Sequence, residues 1–282
     1  MITYIGTGLL GSNFVKAFLK KNEEVNVWNR TFAKAKNLEG FGAKAFENIT
    51  EAVKNAERIH LTLSDDAAVD ATLELAKSGF KPGVIIIDHT TTSTEGATRR
   101  TAYWKHQGFH YLHAPVFMGP PNALDGTGYM LVSGDQELIQ KVEPVLSGMT
   151  GKLLNFGTEV NRAAGLKLLG NSFLLFLTAG WSDVLALSKA MDVPSSDLVS
   201  LFDNWNPGAM APARLQRILA ADFANPSWEL NMARKDARLM MEEANAANQH
   251  LAAIPAIAAE MDKWIDKGFG NNDWTVIAKD NV

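Results

Sequence analysis

The chain has 282 residues, a formal net charge of −4 and no cysteine. That length predicts about two domains, each large enough to bury a core. The acidic balance argues against a nucleic-acid partner, since such surfaces are normally basic. The lack of cysteine excludes disulfides, thiolate nucleophiles and cysteine-ligated zinc. Because the chain opens directly on an apolar strand, we expect no signal peptide and a cytoplasmic protein.

The first element is a strand that runs into a glycine-rich turn and then into an apolar-periodic helix. The turn contains Gly6, Gly8 and Gly11, with Leu9 and Leu10 between the last two. This is the G-x-G-x-x-G pattern of dinucleotide-binding proteins, in which glycines permit the tight turn and the close approach of a pyrophosphate. Free N–H groups at the helix N-terminus then bind the phosphates. The sequence therefore predicts a dinucleotide site at this turn.

A second strand, at 24–29, ends in Asn29, Arg30 and Thr31. In a dinucleotide fold, the residue about 20 positions after the glycines faces the adenosine ribose. An acidic residue there selects NAD, because it accepts hydrogen bonds from the 2′-hydroxyl and repels a 2′-phosphate. A guanidinium and a hydroxyl suit a phosphate instead, so we predict NADP as the cofactor. The alternative is a solvated turn in which Arg30 has no role.

The following segments alternate between strands and helices. Strands are predicted at 58–63, 84–88, 109–114, 129–133 and 152–155, and helices at 49–55, 67–77, 94–105 and 136–146. Such alternation is typical of right-handed βαβ units. We therefore predict an α/β fold, with a Rossmann-type, doubly wound parallel sheet that contains all these strands.

Beyond residue 158 the pattern becomes helical. Apolar residues recur at helical spacing near 160–190, 195–203, 211–221, 228–247 and 250–267, with one doubtful strand at 274–278. We predict a nucleotide-binding domain at residues 1–158 and an all-α domain at 159–282, joined by the long helix. Lys167, Asn171 and Asp183 interrupt that helix, so we interpret it as buried between domains or subunits rather than in a membrane.

Two pairs of polar residues are candidate sites of chemistry. His106 and His110 are four residues apart, but Gly108 separates them and no H-E-x-x-H motif is present, so no metal site is predicted. Lys167 and Asn171 are one turn apart on one face of the long helix. A desolvated lysine beside a cofactor has a lowered pKa and can transfer a proton to a carbonyl oxygen. A lysine that extends to solvent from the start of the helix is the alternative.

Taken together, these residues resemble the β-hydroxyacid dehydrogenase family, which includes 3-hydroxyisobutyrate dehydrogenases and glyoxylate/succinic semialdehyde reductases. The resemblance covers nearly the whole chain. Its motifs are the glycine-rich turn, Leu63–Val69, the Asp88–Thr94 turn, Ala114-Pro115-Val116 with Gly119, Gly165-x-Lys167-x-x-x-Asn171 and Lys235-Asp236. Several motifs in the family's order are more specific than any one of them.

The resemblance implies a role for each matching residue. Lys167 matches the catalytic lysine, and Asn171 the residue that helps to position the substrate hydroxyl. Leu63 and Ser64 would contact the cofactor through their backbone, and Thr91 would lie at the nicotinamide ribose. Lys235 would lie near the nicotinamide. Without the resemblance, Lys235 and Asp236 form an ordinary exposed charge pair.

One loop departs from the family. After Ala-Pro-Val the family usually has Ser-Gly-Gly or Ser-Gly-Ser, which hold the substrate carboxylate. This chain has Phe117, Met118 and Gly119, followed by two prolines that remove N–H groups. The change favours a bulkier or less polar carbonyl substrate. Trp205 and Met210 extend the apolar wall unless they are core residues.

Three functions fit these features. The leading one is an NADP-dependent oxidoreductase that interconverts an alcohol and its aldehyde or ketone, with Lys167 as proton donor and acceptor. The second is an imine reductase on the same scaffold, although such enzymes usually lack the lysine. The third is an NADP-binding protein without turnover. The resemblance also implies a small-molecule substrate and a homodimer or homotetramer formed through the helical domains.

Overall fold

The computed structural model describes residues 1–282 and divides into two compact units, Met1–Asn171 and Ser172–Val282. The strands are β1 (Ile2–Ile5), β2 (Val25–Trp28), β3 (Lys44–Ala45), β4 (Arg58–Leu61), β5 (Ile85–Asp88), β6 (His110–His113), β7 (Val116–Phe117), β8 (Tyr129–Val132) and β9 (Lys152–Asn155). The helices of the first unit are α1 (Leu9–Lys20), α2 (Phe32–Lys36), α3 (Ile49–Val53), α4 (Asp66–Ala76), α5 (Thr94–His106), α6 (Pro120–Asp125) and α7 (Gln136–Ser147). The long α8 (Arg162–Ala190) is shared by both units, and α9 (Ser195–Asn204), α10 (Ala211–Leu219), α11 (Leu230–Ala246) and α12 (Ile254–Trp264) follow.

Six parallel strands form the main sheet, in the order β3-β2-β1-β4-β5-β6. Strands β1 and β5 are buried along their whole length, as expected of a parallel sheet covered on both faces by helices. Strands β2 and β3 are added on one side of β1, and strands β4 to β6 are added on its other side. Ligands of such sheets bind at the carboxyl ends of the strands beside this change of side. The predicted Rossmann-type fold is confirmed.

The later strands do not join that sheet, so the prediction of a single sheet was wrong. Strand β8 pairs antiparallel with β7 and parallel with β9 in a separate three-stranded sheet. The chain reverses between β7 and β8 through Gly126 and Gly128, which have positive φ angles of 65° and 79°. Such angles are easily adopted only by glycine, and they turn the chain after α6 so that β8 runs back alongside β7.

The second unit is helical, and each of the five predicted helical segments contains a helix. The units divide within α8, whereas the boundary expected from sequence lies before this helix. The doubtful strand at 274–278 is wrong, because Trp274–Asn281 forms a 3-10 helix. Asp273 caps it by accepting hydrogen bonds from the Thr275 N–H at 3.1 Å and the Thr275 hydroxyl at 2.6 Å. Burial opposes the charge of Asp273, but bonds from Thr275 and Ser227 lower its pKa to about 2.

Three buried histidines lie in the core of the first unit. His89 Nδ1 is 2.8 Å from the Ala114 carbonyl oxygen, and His89 Nε2 is 3.0 Å from His60 Nδ1. Because a carbonyl oxygen only accepts, His89 donates through Nδ1, and its neutral ring accepts from His60 through Nε2. His113 Nε2 donates to the Thr90 carbonyl oxygen at 2.8 Å. Burial lowers the pKa of all three rings, that of His89 to about 4.

We expect these histidines to make the fold sensitive to mild acid. The His89 ring binds a proton near pH 6.5 in the unfolded chain and only near pH 4 in the folded chain, so its contribution to stability is complete above pH 6.5 and falls as the pH decreases towards 4. His89 alone should cost about 2 kcal/mol between pH 7 and pH 5, at about 1.4 kcal/mol per pKa unit. Urea unfolding at the two pH values measures this loss.

The matched control is His106→Gln, because His106 is exposed. This variant should keep the pH dependence of the parent, whereas His89→Gln should flatten it even if its stability at pH 7 is lower. The interval from pH 7 to pH 5 lies above the range in which ordinary carboxylates titrate, so these groups contribute little to the loss. Equal stability of the parent protein at pH 7 and pH 5 would contradict the assignment.

Candidate active site

The glycine-rich turn between β1 and α1 is shaped by close backbone contacts. Gly6 has a φ of 90°, and a side chain there would overlap the Thr62 carbonyl oxygen. A side chain at Gly11 would overlap the Gly6 carbonyl oxygen, whereas Gly8 faces open space. Gly8 is the N-cap of α1, and no side chain caps the first turn. The free N–H groups of that turn therefore remain available for an anion.

A cavity of about 390 Å³ lies over this turn. It is lined by Gly6, Gly8, Leu9, Leu10, Gly11, Trp28, Asn29, Arg30, Thr31, Lys34, Thr62, Leu63, Ser64, Ala68 and Thr72. Ten predicted cofactor residues are thus brought together, namely all except Thr91 and Lys235. The volume and the concave shape are those of a ligand site. The open helix terminus fits the phosphates of a dinucleotide.

The polar corner of this cavity contains two cations. Arg30 and Lys34 are both exposed, and neither forms an ion pair with an acidic residue. Sequence reasoning missed Lys34, which lies in the first turn of α2, just after the turn that carries Arg30. Both cations are available to an anionic group of a ligand.

Asn29 has a structural task at this corner. Its Oδ1 accepts a hydrogen bond from the Thr7 N–H at 3.1 Å, and its Nδ2 donates to the Thr31 carbonyl oxygen at 3.0 Å. The side chain therefore ties the glycine-rich turn to the turn that carries Arg30. Asn29 lines the cavity but has its amide group already engaged.

The turns after β4 and β5 are joined by hydrogen bonds. The Leu63 N–H donates to Thr90 Oγ1 at 2.9 Å, and the Thr90 N–H donates to Asp88 Oδ1 at 2.8 Å. Tyr111 donates its hydroxyl to Asp88 Oδ2 at 2.6 Å. Thr91 follows in the same turn and is half-buried. Thr91 does not line the cavity, and its expected role at the nicotinamide ribose remains a prediction.

The buried Arg100 is connected to the turn between β5 and α5 through Tyr111 and Asp66. Its Nε donates to the Tyr111 hydroxyl oxygen at 3.0 Å, and its Nη2 pairs with Asp66 Oδ1 at 2.7 Å. The other oxygen of Asp66 accepts from the Ser93 N–H at 2.8 Å. Because a buried charge is stable only when it is paired, this network holds the turn between β5 and α5 in one position.

Lys167 lies near the start of α8 and is only 8% exposed. Its Nζ donates to Asn171 Oδ1 at 2.9 Å and lies 4.2 Å from the centre of the Phe117 ring. Lys167 pairs with no carboxylate, and burial lowers the pKa of its ammonium from the ordinary value. The structure thus brings together Lys167, Asn171 and Phe117, all of which were predicted as site residues.

The loop after Phe117 has few free donors. The Gly119 N–H donates to Asn122 Oδ1 at 2.9 Å. Pro120 and Pro121 form the first turn of α6 and have no N–H group. Met118 is half-buried between these residues. The loop therefore lacks the set of free N–H groups that would hold a carboxylate.

The remaining predicted residues lie in the helical unit. Lys235, in α11, pairs with Asp236 Oδ1 at 2.9 Å and is partly exposed. Trp205 and Met210 are exposed, and they are not core residues of this chain. No group of three histidine or acidic side chains could hold a metal, and His106 and His110 are both exposed. The cofactor role expected of Lys235 remains a prediction.

Comparisons with known proteins identify the family of this chain. Residues 1–157 match the model of the NAD-binding domain of 6-phosphogluconate dehydrogenase. The chain is 24% identical to 3-sulfolactaldehyde reductase of Escherichia coli, over 98% of this chain and 94% of that protein. It is 27% identical to chloroplastic glyoxylate/succinic semialdehyde reductase 2 of Arabidopsis thaliana, over 96% of this chain and 76% of that protein. An imine reductase from Myxococcus stipitatus, solved with NADP+, has the same fold, with a TM-score of 0.92, 22% identity and 99% coverage of both chains.

The family match covers more than half of the chain, and it falls on the unit that holds the glycine-rich turn and its cavity. The two curated relatives are both reductases and extend the similarity through the helical unit. The site residues Lys167 and Asn171 lie in the stretch that these relatives cover. The chain therefore belongs to the β-hydroxyacid dehydrogenase family of NAD(P)-binding oxidoreductases.

Proposed function

We propose that this protein is an NADP-dependent reductase of an aldehyde or ketone, acting reversibly on the corresponding alcohol. The observation that carries the proposal is the buried Lys167, held by Asn171 and unpaired with any carboxylate. NADPH, when bound, supplies a hydride to the carbonyl carbon. The unpaired Arg30 and Lys34 at the polar corner of the cavity support NADP rather than NAD.

Lys167 performs the proton transfer in this proposal. In the reducing direction its ammonium donates a proton to the carbonyl oxygen as negative charge develops there. In the oxidising direction the neutral amine removes the hydroxyl proton. Burial favours the neutral amine and so brings its pKa closer to working pH. Asn171 fixes Nζ by accepting one of its hydrogen bonds and leaves the other N–H groups for the substrate.

An imine reductase is the second candidate. The apolar ring of Phe117 beside Lys167 favours it, because an imine substrate offers no carboxylate to bind. NADPH consumption measured with a panel of semialdehydes, simple aldehydes and cyclic imines tests both candidates. Turnover of carbonyl compounds supports the leading proposal, and turnover of imines alone supports the second. Binding of NADPH without turnover of any compound supports a protein that binds the cofactor and lacks catalysis.

We further propose that a second copy of the chain covers α8. Residues 173–177 are consecutive large apolar side chains and all are exposed, with Leu175 at 71% and Phe176 at 75%. Five consecutive positions point in all directions around a helix, and a helix that is apolar all round is normally buried. By length and composition alone α8 could also cross a membrane. However, Asp183 of α8 accepts hydrogen bonds from the N–H groups of Ala253 and Ile254, which begin α12. A charged side chain of α8 is therefore bonded to another helix of the same unit, which favours a protein interface over a membrane.

The oligomeric state tests this second proposal. The parent protein should elute as a dimer or tetramer in size-exclusion chromatography with light scattering, and Leu175→Glu should shift it towards monomer because a charge would be buried in the interface. The control is Leu75→Glu, since Leu75 is 66% exposed on α4 of the other unit. A monomeric parent protein would contradict the proposal, and a parent protein found only with membranes would favour the membrane reading. The cytoplasmic location remains a prediction.

A further inference from the structure

The side chain of Phe117 occupies a notch in α8. The notch exists because position 170 is glycine: a Cβ atom there would overlap the ring, three of whose carbon atoms would lie within 3.2 Å. Glycine is one of the poorest residues for a helix interior, and α8 continues for twenty residues beyond it. The close approach of the ring explains why glycine occupies this position inside the helix.

The backbone of Phe117 is fixed independently of the ring. Phe117 pairs with Tyr129 in the antiparallel ladder of β7 and β8. A side chain at Gly128 would come within 2.8 Å of the Phe117 carbonyl oxygen, so the two backbones are in close contact. The ring therefore cannot move away by a shift of its strand, and its position is set by the notch.

The same ring covers Lys167, with Nζ 4.2 Å from its centre. An ammonium is attracted to the negative face of an aromatic ring, and a carboxylate is repelled by that face. The other nearby donor, the Gly119 N–H, is already bonded to Asn122. Near the reacting ammonium, the wall of the site is thus a flat apolar surface.

We propose that Phe117 and Gly170 are an interlocked pair that determines the substrate class. The chain that carries the substrate's carbonyl group then ends in an uncharged apolar group and not in a carboxylate. The inference rests on the proposed function, because it takes Lys167 as the group beside the reacting oxygen. The ring excludes the carboxylate by occupying its place, and the glycine holds the ring there. Any larger residue at position 170 displaces the ring and removes the selectivity.

Two substrates of equal shape measure the selectivity. Succinic semialdehyde and 4-methylpentanal differ only in ending in a carboxylate or in an isopropyl group. We expect kcat/KM of the parent enzyme to favour 4-methylpentanal by roughly tenfold or more, a typical discrimination for an apolar pocket. Phe117→Ser should raise KM for 4-methylpentanal and lower it for succinic semialdehyde. Gly170→Ala should change each of the two KM values in the same way as Phe117→Ser does, because it expels the ring.

The double variant shows whether the two residues act together. In the Phe117→Ser background, Gly170→Ala should have little further effect on selectivity, since no ring remains to be displaced. The melting temperature should follow the same rule, with Gly170→Ala lowering it in the parent and not in the Phe117→Ser background. The control is Gly180→Ala in the same helix, where an added Cβ meets no atom within 4 Å. It should leave the selectivity unchanged.

Binding without turnover separates this inference from the proposed function. In the presence of NADPH an alcohol cannot be oxidised, so calorimetry with 4-methylpentanol and 4-hydroxybutyrate reports selectivity alone. Tighter binding of 4-methylpentanol by roughly tenfold, reversed by Phe117→Ser, supports the pair even if no aldehyde is reduced. Equal binding of the two alcohols, or additive effects of the two substitutions on selectivity and melting temperature, would overturn it.

Discussion

The variant Lys167→Ala is expected to lower kcat for carbonyl reduction by roughly 10²–10⁴-fold, the usual contribution of general acid–base catalysis. The lysine is buried, its Nζ is held by Asn171, and no carboxylate neutralises it. Because burial lowers the pKa of Lys167, kcat for reduction should fall as the pH rises through that lowered value, and kcat for oxidation should rise. Measurement of kcat in both directions across pH 6–10 tests the assignment.

Two further variants sharpen this test. Lys167→Arg should also fail, since a guanidinium retains its proton in this pH range. Asn171→Ala should cost less, because it removes a group that orients Nζ without itself exchanging a proton. NADPH affinity, measured by fluorescence, should be nearly unchanged in each variant. A Lys167→Ala enzyme with the kcat of the parent would remove the lysine from the mechanism and favour the imine reductase.

The second large effect concerns the choice of cofactor. Charge-assisted hydrogen bonds contribute roughly 1.5–3 kcal/mol each, so NADPH should bind on the order of ten to a hundred times tighter than NADH. Arg30→Ala should remove most of this difference, and Lys34→Ala should remove part of it, because both residues line the polar corner of the cavity. Dissociation constants for both cofactors, measured by fluorescence titration, give the ratio.

Lys36→Ala is the matched control for the cofactor variants. Lys36 lies on the same short helix as Lys34, but it pairs with Glu39 at 3.6 Å and does not line the cavity. Its replacement should leave the NADPH to NADH ratio unchanged, which separates a local contact from a general loss of positive charge. Equal affinity of the parent protein for the two cofactors would refute the assignment of Arg30.

Local sequence signals were sufficient for the first part of the site. A strand, a glycine-rich turn and a periodic helix follow one another without interruption, so the backbone geometry of β1 and α1 could be predicted from short-range rules. Lys167 and Asn171 are one helical turn apart, and the structure confirms that they are in contact. Lys34 had no such signal, because Arg30 precedes α2 and helical spacing does not relate the two residues.

Other features depend on contacts that short-range rules do not describe. Pro120 and Pro121 were predicted to remove N–H groups from a loop, but they begin α6, where a missing N–H costs nothing. The segment after Asp273 alternates like a strand, but hydrogen bonds to that side chain start a 3-10 helix. Phe117 and Gly170 are far apart in sequence, and neither residue indicates the other. Only the packing of β7 against α8 connects them.

The two hydrogen bonds of Asn29 limit how the cofactor preference of this protein can be engineered. An aspartate at this position is the usual determinant of NAD, and its carboxylate could still accept from the Thr7 N–H. It has no N–H to donate to the Thr31 carbonyl oxygen, and its charge would lie against that oxygen. This exchange would remove the hydrogen bond to Thr31 and so loosen the connection between the glycine-rich turn and the turn that carries Arg30. A redesign must therefore start from Arg30 and Lys34, whose side chains the scaffold does not use.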